Sequence, residues 1–225
     1  MIHILETVSS TNHWLSEYSG NIGDILVSRK QTAGRGRLGN SWESSLGGLY
    51  FSFTSNNHRL LPLIVGTSVA ITMQNFVKEI SLKWPNDIIF TGKKLGGILC
   101  ENLGHYSISG VGLNITNKVL SPNSITLTSK GVKFSYSLFL SSFLSNFERL
   151  FAESSDEIIS NFYNHNKIDR DIDSIESAKQ KLDQQNDRLF YSLFWFWDST
   201  SNVADSMAFQ ELSSGKMEKA IELWL

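Results

Sequence analysis

Several common features are scarce or missing from this sequence, and each absence narrows what the chain can be. A single cysteine, Cys100, stands among 225 residues. No internal disulfide can form, and a reducing compartment is the expectation. No apolar run approaches the ~20 residues that a membrane-spanning helix needs, so no membrane partner is expected. The formal net charge is only −2, which leaves no broad basic field to gather nucleic acid. The opening residues, Met1-Ile2-His3-Ile4-Leu5-Glu6, lack the basic stretch, apolar core and small-residue cleavage site of a secretory leader. A cytoplasmic protein is the expectation. With 41% hydrophobic and 19% charged residues, the composition is that of a folded chain, long enough for one domain with an appendage or two small domains.

Familiar catalytic signatures are also missing. His3, His13, His58, His105 and His165 are scattered, and none pairs with another at the spacing of helical metal ligands. There is no Gly-x-Ser-x-Gly and no Walker loop. Cys100 sits in an apolar run without a basic neighbour, and reads as a small buried hydrophobe rather than a reactive thiol.

What the sequence does contain is concentrated in Gln31-Thr-Ala-Gly-Arg-Gly-Arg-Leu-Gly-Asn-Ser-Trp42. Gly34, Gly36 and Gly39 free the backbone, and Arg35 and Arg37 supply side chains shaped to grip carboxylate or phosphate oxygens. Gly34-x-Gly36-x-x-Gly39 formally matches the dinucleotide-binding fingerprint. That fingerprint works only where the glycine turn opens a helix, and Asn40 to Gly48, with two more glycines, is a poor helix start. The stretch therefore reads as a loop that closes over a small anionic ligand. A second cluster, Lys83-Trp84-Pro85-Asn86-Asp87, has two readings that both stay open: a group that holds Mg²⁺ and phosphate oxygens, or a strand-end turn with solvated charges. Lys93-Lys94 beside Gly96-Gly97 again sets cations next to glycines.

Around these clusters the chain alternates strand and helix signals. Ser10 or Thr11 reads as the cap of a short helix. Asp24 to Arg29 reads as a buried strand, and Gly48 to Thr54 as a strand with Leu49, Phe51 and Phe53 on one face. Pro62 opens a helix whose apolar stripe runs through Val69, Met73, Phe76 and Ile80. Ile88 to Phe90 and Leu95 to Glu101 form a hairpin. Ser107 to Leu113 is a further strand. Phe139, Phe143, Phe147 and Leu150 mark a helix, and residues 154–165 a shorter one. From about residue 166 the chain turns charged and amide-rich, and then carries the aromatic run Phe190, Tyr191, Phe194, Trp195, Phe196 and Trp197. Such a run is buried core or an interface. The expected division is 1–165 and 166–225.

Taken in order, Ser10-Thr11-Asn12, Gln31 to Gly39 with Trp42, Lys83 to Asp87, Lys94-Leu-Gly-Gly-Ile-Leu99 with Glu101, and Gly110-x-Gly112-x-Asn114 resemble the biotin–protein ligase family over residues 1 to about 165. The resemblance implies an α+β catalytic domain, a mixed sheet flanked by helices and related to class II aminoacyl-tRNA synthetases. It implies ATP and Mg²⁺, biotin as substrate, and a biotin carboxyl carrier domain as acceptor, and it leaves a homodimer open. By resemblance, Ser10, Thr11, Asn12 and Gln31 line the biotin pocket. Gly34, Arg35, Gly36 and Arg37 form the loop that orders over biotin, and Lys94, Gly96 and Gly97 lie at its carboxylate end. Arg37, Trp42, Lys83, Asn86 and Asn114 fall on the ATP side. Lys94, Arg37 and Asp87 are the expected catalytic group, with Asp87 also a Mg²⁺ ligand.

Asn40 stands where many members of that family place another arginine. No DNA-binding helix-turn-helix precedes Ser10, so a repressor role and a DNA partner are not implied. Residues 166–225 do not read as the small β-barrel that usually ends such proteins. A lipoate or octanoate ligase on the related fold and a non-catalytic biotin- or adenylate-binding module are the alternatives weighed.

Overall fold

The computed structural model describes residues 1–18 and 21–165; the 166–225 segment and its aromatic run lie outside the described residues. Seven strands form one mixed sheet: β1 (Ile2–Val8), β2 (Ile25–Gln31), β3 (Leu49–Ser55), β4 (Ile80–Lys83), β5 (Asp87–Phe90), β6 (Lys93–Asn102) and β7 (Ser107–Leu113). Their order is β1-β2-β3-β7-β6-β5-β4. Only β1 and β2 run parallel, and every other neighbouring pair is antiparallel. Four helices complete this part of the chain: α1 (Thr11–Tyr18), α2 (Leu61–Met73), α3 (Tyr136–Phe151) and α4 (Ser155–His165). The architecture is the expected α+β one.

The sheet is buried on both faces, and that determines where the site lies. On one face Ile25, Val27, Phe51, Phe53, Ile98 and Val111 join residues of α2, α3 and α4 in the main core. On the other, Leu26 and Ile108 pack with Leu15 of α1. β3 shows the consequence most plainly. Its Phe51 and Phe53 meet α3 through Phe143 and Phe147, with ring centroids 5.1 Å and 4.7 Å apart, while the alternating Tyr50, Ser52 and Thr54 are just as buried. The polar phase of this strand is therefore an interior surface, not the solvent face that alternation alone implies.

One further expectation is corrected. The helix opened by Pro62 ends at Met73. Asn75 and Phe76 then donate to Thr72 and Met73 in tight turns at 3.1 and 2.9 Å, and Ile80 begins β4. The apolar spacing continued because those residues fill the same core, and periodicity reports burial before it reports helicity. The edge strands β1 and β4 carry little signal in the sequence, since each is short and only partly apolar. At α1 the choice between caps is resolved: Thr11 is the first helical residue, and Ser10 Oγ accepts from the His13 N–H at 3.5 Å. Among the described residues, no helix is long and apolar enough to cross a membrane.

Candidate functional site

A cavity of about 300 Å³ opens on the α1 face of the sheet, at the lower end of the range for small-molecule sites. Its floor is the interior polar phase of the central strands, including Gly97 and Leu99 on β6 and Gly110 and Gly112 on β7. One end is built by the start of α1 and the end of β2. The Thr11 N–H donates to Gln31 Oε1 at 2.7 Å, and Gln31 Nε2 donates to Ser44 Oγ at 2.7 Å. Asn12 Nδ2 donates to Glu101 Oε2 at 2.7 Å and to the Leu99 carbonyl at 3.2 Å. Ser52 Oγ lies 2.6 Å from both Thr11 Oγ1 and Asn12 Oδ1. Arg35 Nη2 closes this end with an ion pair to Glu101 at 2.6 Å. Ser10, Thr11 and Asn12 are buried, so the end is a pre-formed, uncharged hydrogen-bonding pocket backed by one ion pair.

The other end is cationic. Lys94 Nζ pairs with Asp87 Oδ1 at 2.7 Å and lies 5.4 Å from the centre of the Trp42 ring. Arg37 Nη1 donates to Asn86 Oδ1 at 3.2 Å, and Asn86 Nδ2 donates to the Ile98 carbonyl at 3.0 Å. Partial burial pushes the Arg37 guanidinium below its ordinary value, with the Asp87 carboxylate opposing that drop. A half-desolvated guanidinium gains more from an incoming anion than a hydrated one. The indole of Trp42 lies on the glycines of the floor: a Cβ on Gly112 would come within 2.5 Å of its Nε1, and one on Gly97 within 3.4 Å of its ring.

The glycine loop joins the two ends. Gly36 N–H bonds the Asn40 carbonyl at 2.7 Å, and Trp42 N–H bonds that of Gly34 at 2.8 Å. At its tip Leu38 takes a left-handed conformation with φ of 55° and stands exposed. Such φ values are uncommon for a residue with a branched side chain.

Most of the expected site residues therefore converge. Ser10, Thr11, Asn12, Gln31, Arg35, Gly36, Arg37, Trp42, Asn86, Asp87, Lys94 and Gly97 all line one cavity. Gly34, Lys83, Gly96 and Asn114 do not. Gly34 forms the base of the loop, where a Cβ would meet the Trp42 carbonyl, and Gly96 packs under Leu113. Lys83 is exposed at the end of β4. Asn114 is buried and accepts from Asn117 Nδ2 at 3.0 Å, a bond that braces the chain after β7. Ser44, Ser52 and Glu101 were not among the expected site residues. The only signal for Ser52 was its place in the polar phase of an apolar strand.

Cys100 is buried on the core face beside Ser109, 3.3 Å from its hydroxyl, and burial pushes its thiol up to about 12. It plays no part in the cavity.

The model of the biotin/lipoate A/B protein ligase family matches residues 5–114, the span that holds the whole cavity wall. The chain is 35% identical over 133 residues to biotin–protein ligase 2 of Arabidopsis thaliana, covering 52% of this chain and 40% of that protein. It is 33% identical over 124 residues to the biotin–[acetyl-CoA-carboxylase] ligase of Mycobacterium tuberculosis, covering 49% and 47%. The chain thus spans less than half the length of these two relatives. Among solved structures, the biotin protein ligase of Aquifex aeolicus in complex with biotin and ATP superimposes with a TM-score of 0.67 at 32% identity, covering 74% of this chain and 78% of that one.

Proposed function

The chain belongs to the biotin/lipoate A/B protein ligase family, and from that premise we propose that it is an ATP-dependent biotin–protein ligase. It joins biotin to the adenylyl group of ATP and passes the biotinyl group to a lysine of a biotin carboxyl carrier domain. One observation carries the reading. A single cavity has a neutral hydrogen-bonding end at Thr11, Asn12 and Gln31 and a cationic end at Arg37 and Lys94. Biotin has that polarity, an uncharged ureido ring at one end and a carboxylate at the other.

The residue types suit the two steps. A biotin carboxylate oxygen attacks the α-phosphorus, the bond to pyrophosphate breaks, and a mixed anhydride forms. Two anions must meet, and Lys94 with Arg37 offsets their repulsion where the charge develops. The anhydride is open to hydrolysis, so the segment from Gly34 to Arg37 serves as a cover that excludes water. The acceptor lysine, neutral when it reacts, then attacks the carbonyl carbon, and AMP leaves. In this reading Asp87 orients or deprotonates that amine. Trp42 and Asn86 take the nucleotide side.

Mg²⁺ fits this wall only in shared form. Among the described residues that line the cavity, Asp87 is the sole acidic one, and Mg²⁺ is commonly held by one or two carboxylates together with substrate phosphates. Asp87 would hold it, and when bound the ion would neutralise charge on the phosphates.

The test is to offer a carboxyl carrier domain biotin, lipoate or octanoate with Mg²⁺-ATP, and to read the carrier's intact mass. A biotinyl adduct is expected, and it should disappear in Lys94→Ala. A lipoyl or octanoyl adduct in its place would move the chain to the sister activity of the same family. No adduct with any acid would overturn the ligase reading.

A further inference from the structure

Ser52 does not itself line the cavity, yet its hydroxyl lies 2.6 Å from two residues that do, Thr11 and Asn12. It is completely buried on β3. A serine has one proton to give, so these two short contacts cannot both be donations from Ser52. The direction can be worked out from the outer end of the chain. Asn12 Nδ2 faces two acceptors, the Glu101 carboxylate and the Leu99 carbonyl, and this fixes which side of the amide is nitrogen. Asn12 Oδ1 can then only accept, and the Ser52 proton must go to it.

Ser52 Oγ, its proton spent, must accept from the Thr11 hydroxyl. Otherwise two oxygens would face each other at 2.6 Å with no proton between them. Gln31 Oε1 could also take the Thr11 hydroxyl proton, but at 3.1 Å it is the longer contact and already accepts the Thr11 N–H at 2.7 Å. Ser52 Oγ, at 2.6 Å, has no other way to avoid an oxygen–oxygen clash. The order is therefore Thr11 to Ser52 to Asn12, and Asn12 to the carboxylate of Glu101.

Resting on the reading given under Proposed function, we propose that Ser52 is a positioning residue that fixes Thr11 as a hydrogen-bond acceptor toward the ligand. With its proton drawn inward, Thr11 Oγ1 presents only lone pairs to the cavity. A ureido N–H is a donor and meets it favourably. A ring atom that is itself an acceptor at that point is rejected, because two acceptors would be buried face to face. Ser52 thus selects for a cyclic urea without contacting it.

Ser52→Thr and Ser52→Val provide the test, since the two side chains share a shape and differ in the hydroxyl. Biotin binding to the full-length protein is measured by calorimetry, Mg²⁺-ATP binding in parallel, and the KM for biotin and kcat in carrier labelling alongside. The expected result is about tenfold weaker biotin binding in Ser52→Val than in Ser52→Thr, the scale of one unsatisfied buried polar group. That loss should appear in KM rather than kcat, with ATP binding equal in the two variants. Equal biotin affinity in the two variants would overturn the inference, as would a loss shared by biotin and ATP together with a drop in melting temperature. If the wild-type protein bound no biotin, the ligase reading would fall and this inference with it, whereas wild-type binding with no Thr–Val difference sinks this inference alone.

Discussion

Gly110 on β7 leaves empty the space that a Cβ would occupy, and the amide oxygen of Asn12 fills it. The same Cβ would lie 3.2 Å from Ser52 Oγ. Asn12 Oδ1 is the end of a movable side chain, so Gly110→Ala can be absorbed by swinging that amide away rather than by shifting the sheet. The cost then falls on the pocket. Gly110→Ala is expected to weaken biotin binding about tenfold or more while the melting temperature falls by only a few degrees, roughly the effect of 1 kcal/mol. Calorimetry and thermal denaturation on one sample check both halves.

Under the proposed ligase reading, variants of the Lys94–Asp87 ion pair are expected to separate the two chemical steps. Lys94→Ala removes the cation at the carboxylate end, and pyrophosphate release is expected to fall by about 10²–10³-fold. Asp87→Asn keeps the shape but loses the ion pair and the proposed base. Presented with preformed biotinyl-adenylate, this variant should label the carrier about 10²-fold more slowly. Full-rate transfer by Asp87→Asn would remove Asp87 from that step.

His58 makes stability depend on pH. Its Nδ1 accepts the Leu60 N–H at 3.0 Å, and its ring lies 5.3 Å from Phe151. Burial first, and then the Arg59 charge, lower its pKa from the ordinary 6.5. The folded state therefore binds fewer protons than the unfolded one. Stability from this group is complete above about pH 6.5 and is lost as the pH falls through the lowered value. Between about pH 7.5 and 5.5, the spread in which imidazole titrates, melting temperature should fall more for wild type than for His58→Asn.

Cys100 should be silent in the native protein. Its thiol is buried and pushed up to about 12, and the thiolate is the reactive form. A thiol-specific disulfide reagent at mildly alkaline pH is expected to find no accessible thiol until denaturant is added, and then one per chain, the single cysteine of the sequence.

How much of this could be read in advance follows from the range of the signals. The strand read over Asp24 to Arg29, the hairpin from Ile88 to Glu101 and the helix marked by Phe139, Phe143 and Phe147 were legible because each is a local pattern of apolar residues and turn formers. The end of α2 at Met73 was not legible, because Phe76 and Ile80 continue the same spacing while packing from a turn and a strand. At the site, Arg35, Arg37 and Lys94 announce themselves by charge close to glycine, and Asp87 by its place in the Lys83-Trp-Pro-Asn-Asp87 cluster. Ser52 carries no such mark. Its role exists only because Asn12 and Thr11 arrive from a different part of the chain.

The sequence by itself determined the chemistry on offer: the cations of the glycine loop, the Lys94-Leu-Gly-Gly stretch, the cap at Ser10, and the family resemblance these residues carry in order. Tertiary structure alone decided which of them share a cavity. It brought Asn12 to Glu101 across 89 positions and Arg37 to Asn86 across 49, and it left Lys83 and Asn114 off the cavity wall. The physical reason is that alternation along a strand states which residues share a face, but not what covers that face. In this sheet both faces are covered, one by a hydrophobic core and the other by α1 and the cavity, and only packing distinguishes a buried polar wall from a solvent surface.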